Sequence, residues 1–389
     1  MDFNLTEDQE AFRDLAQQFS DAELAPHAAR WDRESIFPVE TIQAAGKLGF
    51  CSLYANEKIG GLALSRLDAH LIFEQLAMGC TATTAYITIH NMVVWMLGEF
   101  ATEAVLNEWG PALASGEKLA SYCLTEPGSG SDAASLKTSA RREGDRYILN
   151  GSKMFISGAG STDLLLVMAR TGALGPKGIS AFVVPADAEG ISYGKKEEKM
   201  GWNAQPTRLI SFDNVQIPAD HLLGNEGQGF TFAMKGLDGG RINIASCSLG
   251  TAQQALNTAR SYMKERQQFG RELGDFQSLQ FKLADMNTEL VAARQMVRIA
   301  AFKLDQQDPE ATGYCAMAKR FATDVGFQVC NEALQIHGGY GYIQEYPLER
   351  FVRDTRVHQI LEGTNEIMRL IVARRLLSDK LSPSLRELQ

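Results

Sequence analysis

Glu362 is the residue of this chain best suited to acid–base chemistry, because it stands at a break in the backbone beside apolar residues. It follows Ile360 and Leu361 and precedes Gly363 in the segment RVHQILEGTNEI. A carboxylate that is short of water has a raised pKa and is a stronger base. The segment therefore predicts a general base that takes a proton from a bound substrate.

A second chemical signal lies far upstream, in the loop SYCLTEPGSGSD that runs from Ser121 to Asp132. Gly128, Gly130 and Ala133 match the G-x-G-x-x-A spacing of nicotinamide sites, but that fingerprint needs a strand before it and a helix after it. Here Pro127 precedes the first glycine and a strand follows, so the fingerprint fails on context. Two interpretations remain, a solvated loop or a loop whose amides and small hydroxyls bind an anionic ligand. The hydroxyls in question belong to Thr125, Ser129 and Ser131.

Three further segments each allow a structural and a functional interpretation. Phe155 and Ser157 share one face of a predicted strand, where an aromatic ring beside a hydroxyl could hold a flavin; an ordinary core phenylalanine is the alternative. Arg266, in ERQQFG, is either a solvated helix end or a pyrophosphate ligand. Asp238 and Arg241 flank two glycines, where the backbone can approach a ligand closely.

Helical regions at both ends of the chain must position these segments. Residues 1–119 are predicted to form an N-terminal helical domain that starts with a capping box at Thr6 and Gln9 and whose first helix ends near Pro26. Residues 230–389 are predicted to form a C-terminal helical bundle. One helix of that bundle carries apolar residues spaced by threes, fours and one seven, which is typical of a packed seam. These residues are Leu279, Leu283, Met286, Leu290, Val297, Ala301 and Leu304.

A different pattern fills the middle region, residues 120–229. Short apolar runs alternate with Gly, Pro, Asn and Asp, and Asn150-Gly151 is a hairpin turn signal. No helical pattern separates the runs, so we predict a mainly antiparallel β domain that is sandwich-like or barrel-like. The predicted strands include Leu164–Met168, Ile179–Val184 and Arg208–Phe212.

Composition bounds the class of protein. The chain has 389 residues, 45% of them hydrophobic and 22% charged, and its net charge of −9 argues against nucleic acid as a partner. The six cysteines fit no zinc spacing and are expected to be reduced and mostly buried, and His337 and His358 lack a ligand set, so we expect no metal. The apolar stretch Ala85–Leu97 predicts a buried helix rather than a membrane span. The acidic N-terminus predicts a bacterial cytoplasmic protein, or a matrix protein of mitochondria if a leader was removed.

In their order and spacing, these segments resemble the acyl-CoA dehydrogenase family across essentially the whole chain. The resemblance is carried by YCLTEPGSGSD, the strand with Phe155 and Ser157, RQQFG, QIHGGYGY and ILEGTNEI. It implies an α+β multidomain fold, with a helical N-terminal domain, a β-sandwich or barrel-like middle domain and a C-terminal four-helix bundle. It also implies FAD, a homotetramer, an acyl-CoA substrate and electron transfer to an electron-transferring flavoprotein, without nucleic acid or membrane insertion.

The resemblance is strongest to the branch of the family that acts on isobutyryl-CoA in valine catabolism, a route of branched-chain amino acid degradation. CTATTAYITIHNM, GWNAQPTR and GGRINIASCSLG carry it. It implies α,β-dehydrogenation of a short branched acyl-CoA, isobutyryl-CoA to methacrylyl-CoA, with Glu362 as base and hydride passing to flavin N5. Butyryl-CoA or 2-methylbutyryl-CoA is the alternative substrate. An oxygen-using flavoenzyme of similar fold and a non-catalytic acyl-CoA-binding protein are the alternative classes, and the former is disfavoured because flavin monooxygenases need no base at this position.

Residue by residue, the resemblance gives Glu362 the role of catalytic base. It implies substrate contacts for Ser131, Asp238, Arg241 and Gly363. Many relatives carry Trp and Thr where this chain has Phe155 and Ser157, so stacking on the flavin is in doubt while the hydroxyl is kept. The implied FAD contacts are Tyr122, Leu124, Thr125, Gly130, Ser131, Phe155, Ile156, Ser157, Arg266, Phe269, Gln277, Thr364 and Glu366, and, toward the FAD of a neighbouring subunit, Gln335, Gly338 and Gly339. Acyl-chain preference is expected to depend on the helix from Tyr86 to Trp95 and on the approach to Glu362.

Overall fold

The computed structural model describes residues 4–378, beginning with a group of N-terminal helices. The predicted capping box is confirmed, because the Thr6 hydroxyl accepts from the amide of Gln9 and the Gln9 side chain accepts from the amide of Thr6. The prediction that a helix ends near Pro26 is wrong. Pro26 lies in the first turn of the second helix, after a π-helical segment at Ser20–Leu24, and proline is compatible with a first turn. The helices are α1 (Glu7–Phe19), α2 (Ala25–Glu34), α3 (Val39–Lys47), α4 (Arg66–Gly79), α5 (Thr81–Phe100) and α6 (Glu103–Ala114).

The helix α5 is buried on nearly every side, which confirms the prediction for Ala85–Leu97. Its polar side chains are satisfied internally; Asn91, for example, donates to the carbonyl of Phe50 at 2.7 Å. The helix packs against α4, α6 and the first strand of the middle domain. No helix within residues 4–378 is both long and apolar enough to cross a membrane.

The middle domain is an eight-stranded sheet in the order β6-β7-β3-β2-β4-β5-β8, with β1 paired to β4. Only the pairs β1–β4 and β2–β4 are parallel among the described strands, which confirms a mainly antiparallel domain. The strand β4 is buried on both faces, so the sheet separates two apolar clusters. The strands are β1 (Ala120–Cys123), β2 (Ser139–Glu143), β3 (Arg146–Ser157), β4 (Leu164–Arg170), β5 (Ile179–Pro185), β6 (Ile191–Tyr193), β7 (Thr207–Pro218) and β8 (Leu222–Leu223).

The prediction of a hairpin turn at Asn150-Gly151 is wrong, because both residues lie inside β3. The turn between β2 and β3 is formed by Gly144-Asp145, with Gly144 at φ 64°. Gly151 instead marks a bulge, where the register with β7 shifts. A Cβ at this glycine would lie 2.7 Å from the Cα of Thr138, so the close approach of β2 explains the residue.

The C-terminal part is a helical bundle, as predicted. All seven predicted seam residues of α8 belong to its core: Met286, Leu290, Val297 and Ala301 are buried, and the remaining three are partly buried against them. The helices α7, α8 and α9 pack on one another, and α11 packs on α9. All six cysteines are buried, as expected. The elements are α7 (Gly229–Glu265), β9 (Gln267–Gln268), β10 (Arg271–Glu272), α8 (Gln277–Asp305), α9 (Ala311–His337), α10 (Leu348–Arg356) and α11 (Asn365–Leu376).

Candidate active site around Glu362

Glu362 stands in the predicted backbone break, between α10 and α11. Its φ is 56°, in the left-handed region that costs energy for any residue except glycine, and Gly363 follows at φ 88°. Lys319, buried in the middle of α9, holds this conformation. Its ammonium donates to the carbonyl of Gly363 at 2.8 Å and to the side chain of Asn365 at 2.9 Å. Sequence reasoning missed Lys319; the available signal was a lone lysine among the apolar residues of a bundle helix.

The carboxylate of Glu362 is poised to exchange a proton. Its Oε2 atom is buried and has no hydrogen-bond partner among residues 4–378. Burial raises the pKa of Glu362 to about 7, while the positive charges of Arg241 and Lys319 act in the opposite direction. The expectation that loss of water raises this pKa is therefore confirmed.

The helix α7 supplies the opposite wall of the site. A Cβ at Gly240 would lie 2.5 Å from Oε2 of Glu362, so only glycine leaves room for the carboxylate. The next residue, Arg241, is buried and pairs with Asp238 at 2.6 Å. Asp238 in turn accepts from the hydroxyl of Thr312 at 2.6 Å. The glycine pair Gly239-Gly240 was predicted to let the backbone approach a ligand. In the structure, Gly240 lies against the carboxylate of Glu362, and the approach to a ligand stays a prediction.

Tyr122 connects the upstream loop to this site. Its hydroxyl is buried and has no hydrogen-bond partner in the described residues. Burial raises the pKa of Tyr122, and the negative charge of Glu362 raises it further. The carboxylate of Glu362 therefore interacts electrostatically with the hydroxyl at the end of β1. The two segments that suggested proton transfer beside a ligand are therefore coupled electrostatically.

Glu126 fixes the loop TEPGSGSD from inside, and sequence reasoning missed it too. Its carboxylate accepts from the amides of Lys137 (2.6 Å) and Thr138 (2.9 Å) and from the ammonium of Lys153 (2.8 Å). Lys153 also donates to the carbonyl of Leu124 at 3.0 Å. The three hydroxyls that were predicted to bind a ligand differ in exposure. Ser129 is buried and donates to the carbonyl of Asp132, Thr125 is half-buried, and Ser131 is exposed next to the exposed Gly130.

Phe155 is not a core residue, so that alternative is wrong. Its side chain is 62% exposed and its φ is 59°, at a bulge where the register between β3 and β7 shifts. The neighbouring Ile156 is buried in the sheet, and Ser157 accepts from the hydroxyl of Ser121 through its carbonyl at 2.7 Å. A large aromatic ring held at the surface in a strained backbone is a sign of a ligand-binding position.

The remaining candidates for FAD binding belong to the C-terminal part of the chain. Arg266, Gln335, Gly338 and Gly339 line one cavity of about 510 Å³. Beside it, Phe269 stands at the tip of the β9–β10 hairpin with φ 55° and is 94% exposed. Three others lie at helix ends: Gln277 is exposed at the start of α8, Thr364 caps α11 through the amide of Ile367, and Glu366 is exposed in its first turn.

Comparison with known proteins identifies the family of this site. The N-terminal, middle and C-terminal domain models of acyl-CoA dehydrogenases match residues 6–117, 121–215 and 227–377. The chain belongs to the acyl-CoA dehydrogenase family. The three matches agree with the helical, β and helical regions of the structure, and the predicted fold class is confirmed.

Individual members of the family are similar over nearly the full chain. Mitochondrial isobutyryl-CoA dehydrogenase of Bos taurus is 54% identical over 375 residues, which cover 96% of this chain and 90% of that protein. The short-chain specific acyl-CoA dehydrogenase of Clostridium acetobutylicum is 40% identical, with coverages of 96% and 99%. The structure of butyryl-CoA dehydrogenase from Megasphaera elsdenii superposes with a TM-score of 0.94 at 41% identity, covering 97% of this chain and 100% of that one.

Proposed function

We propose that this acyl-CoA dehydrogenase oxidises isobutyryl-CoA to methacrylyl-CoA in valine catabolism, with Glu362 as the catalytic base. The observation that carries the proposal is the buried, unpartnered Oε2 of Glu362, whose pKa is about 7. The 54% identity to isobutyryl-CoA dehydrogenase supports the branched substrate. Butyryl-CoA is the second candidate, supported by the short-chain relatives, and 2-methylbutyryl-CoA is the third.

The residues around Glu362 suit removal of an α-proton from a thioester. A base with a pKa near the working pH combines a useful deprotonated fraction with strong proton affinity. A bound acyl chain would displace water from the carboxylate and raise this pKa further. Arg241 and Lys319 limit that rise, since both positive charges favour the ionised form. The Arg241–Asp238 pair would contact the substrate beside the carboxylate.

The structure fits FAD as the cofactor. The exposed Phe155 ring, the unpartnered hydroxyl of Tyr122 and the open space beside Gly338 and Gly339 are features that a bound ligand would explain. When bound, FAD supplies the acceptor for the hydride that leaves the β-carbon. The residues that would hold it are Tyr122, Leu124, Thr125, Gly130, Ser131, Phe155, Ile156, Ser157, Arg266, Phe269, Gln277, Gln335, Gly338, Gly339, Thr364 and Glu366.

The assembly and partners follow from the same proposal. The enzyme is a homotetramer in which Gln335, Gly338 and Gly339, which line one cavity, complete the FAD site of a neighbouring subunit. Large apolar side chains exposed on α8, including Phe281 and Phe302, support burial against another chain. Electrons pass to an electron-transferring flavoprotein, and the domains span residues 1–119, 120–229 and 230–389. The compartment is the mitochondrial matrix, supported by the mitochondrial relatives, or the bacterial cytoplasm.

The test is an anaerobic titration of the purified protein with isobutyryl-CoA, butyryl-CoA and 2-methylbutyryl-CoA, following the visible flavin band. Bleaching that is fastest with isobutyryl-CoA supports the substrate, bleaching that is fastest with another thioester changes it, and no bleaching by any of them rejects the dehydrogenase.

The variant Glu362→Gln is expected to retain FAD and to lose roughly 10²- to 10⁴-fold in the rate of bleaching, the usual contribution of a general base. Glu57→Gln, at an exposed carboxylate, is the matched control. A folded, FAD-loaded Glu362→Gln enzyme with near-normal turnover would reject Glu362 as the base.

A further inference from the structure

Arg66 is a buried cation whose guanidinium forms no ion pair in the described part of the chain. It is the first residue of α4 and is 8% exposed. Its guanidinium carbon lies 3.5 Å from the centre of the Tyr54 ring and 5.0 Å from that of Trp95. Within residues 4–378 no carboxylate forms an ion pair with it, and its Nη1 atom is buried without an acceptor. The positive charge lies against the faces of two aromatic rings and also interacts with the carboxylate of Asp305, which accepts the backbone amide of Arg66.

The guanidinium of Arg66 and the carboxylate of Glu362 lie against neighbouring residues of α7. A Cβ at Gly239 would overlap Nη1 of Arg66, and a Cβ at Gly240 would overlap Oε2 of Glu362. Two consecutive glycines inside a helix are unfavourable, and these two close approaches explain both of them. Burial raises the pKa of Tyr54, the ring that Arg66 faces, while the charge of Arg66 lowers it and the charge of Glu362 raises it slightly.

This position places Arg66 where an acyl chain must end. If Glu362 takes the α-proton, the substrate's next carbons run along the Gly239–Gly240 surface, and the guanidinium already occupies the space beside Gly239. A planar guanidinium clamped by Tyr54 and Trp95 is a stiffer wall than an aliphatic side chain. Its unpartnered Nη1–H groups also make contact with hydrocarbon unfavourable.

We propose that Arg66, held between Tyr54 and Trp95, forms the end wall of the acyl pocket and restricts the enzyme to short acyl chains. The inference rests on the proposed acyl-CoA dehydrogenase activity. It assigns the selectivity for acyl-chain length to one residue of α4, whereas the sequence connected it with α5 and the approach to Glu362. Trp95 of α5 contacts Arg66 of α4 and so links the two helices.

The test compares kcat/KM for isobutyryl-CoA and hexanoyl-CoA in the FAD-loaded enzyme and its variants. Arg66→Ala is expected to raise the hexanoyl-to-isobutyryl ratio at least about tenfold, mainly through a lower KM for hexanoyl-CoA, because a difference of one methylene can change kcat/KM by that factor. Arg66→Gln, shorter and uncharged, is expected to shift the ratio in the same direction by less. Arg66→Lys keeps the charge and most of the length but not the planar group, and of the three variants it is expected to stay closest to wild type.

The matched control is Lys118→Met. Lys118 also lies over an aromatic ring, 4.4 Å from the centre of Trp109, and within residues 4–378 its ammonium forms no hydrogen bond or ion pair with a site residue, so the ratio is expected to stay unchanged. Ratios within twofold of wild type in folded Arg66→Ala overturn the proposal. If that variant does not fold, the same outcome in Arg66→Gln overturns it. A wild-type enzyme that oxidises no acyl-CoA refutes the activity itself, which is a separate result.

Discussion

Two buried carboxylates, Glu126 in the middle domain and Glu362 in the C-terminal bundle, have opposite environments. Glu126 accepts two backbone amides and the ammonium of Lys153. Burial alone would raise its pKa, but Lys153 and the hydrogen bonds outweigh burial, and the pKa of Glu126 is below its usual value. Glu362 leaves one oxygen without a partner, and burial raises its pKa to about 7.

This difference in hydrogen bonding distinguishes a carboxylate that stabilises the fold from one that can take up a proton. A carboxylate whose hydrogen bonds are all made is stabilised as an anion and has little tendency to take a proton. A carboxylate that is buried and incompletely bonded costs stability and favours the protonated form, which is the property a base needs. The bundle contains the counter-charges Arg241 and Lys319, but both act on Glu362 without a hydrogen bond to Oε2.

The largest expected effect on stability comes from breaking the pair in the middle domain. Glu126→Ala leaves the ammonium of Lys153 buried without its carboxylate, and removing one partner of a buried pair costs about 3–5 kcal/mol. Urea denaturation of the FAD-free protein measures the loss. The double variant Glu126→Ala with Lys153→Met is expected to recover part of it, because the unpaired charge is gone. If the double variant were no more stable than Glu126→Ala, the pair would not be the cause.

Some features of these two sites could be predicted from the sequence, and others could not. The break after Leu361 was readable, because glutamate followed by glycine after apolar residues is a local pattern, and so were the capping box of α1 and the seam of α8. The partners Lys319 and Lys153 were not, because a lysine in a helix or strand is usually solvated and only the tertiary fold buries these two.

Backbone strain was equally hidden from sequence patterns. The dipeptide Asn150-Gly151 indicated a turn and instead forms a bulge, since the space beside Thr138 and not the local propensity decides its conformation. Phe155 was consistent with a core residue, because only the register shift of β3 turns its ring outward. The family resemblance supplied the candidate roles, and the structure supplied the physical reasons for them.

The next-largest expected effect is the pH dependence of activity, which should follow the pKa of Glu362 and not that of Glu126. Glu362 must be ionised to take a proton, so kcat/KM for isobutyryl-CoA is expected to rise with pH and to level off above about 7. At pH 5 the ionised fraction is roughly one hundredth, so the rate is expected to fall by about 100-fold. The Glu126 pair does not interfere, because its pKa is lowered and its contribution to stability is lost only as pH falls below the usual carboxyl range.

The measurement is a pH profile of kcat/KM between pH 5 and 9, with circular dichroism at each pH to show that the enzyme stays folded. A profile that is flat down to pH 5 would mean that Glu362 has an ordinary carboxyl pKa or is not the base.

The smallest expected effect extends the comparison from side chains to the backbone. Phe155, in the middle domain, shares with Glu362 a left-handed φ, of 59°. Phe155→Gly removes a backbone strain of about 1–2 kcal/mol, partly offset by the greater freedom of glycine in the unfolded chain. The free energy of unfolding of the FAD-free protein is therefore expected to rise by roughly 0–1 kcal/mol.

If the exposed ring that this strained backbone presents serves cofactor binding, the same variant binds FAD more weakly, which equilibrium titration of the FAD-free protein measures. Asn214→Gly, at φ 52° on β7, is the control: it relaxes a similar backbone away from the site and should leave FAD affinity unchanged. An FAD affinity of Phe155→Gly equal to that of wild type would mean that the exposed ring of Phe155 has no part in holding the cofactor.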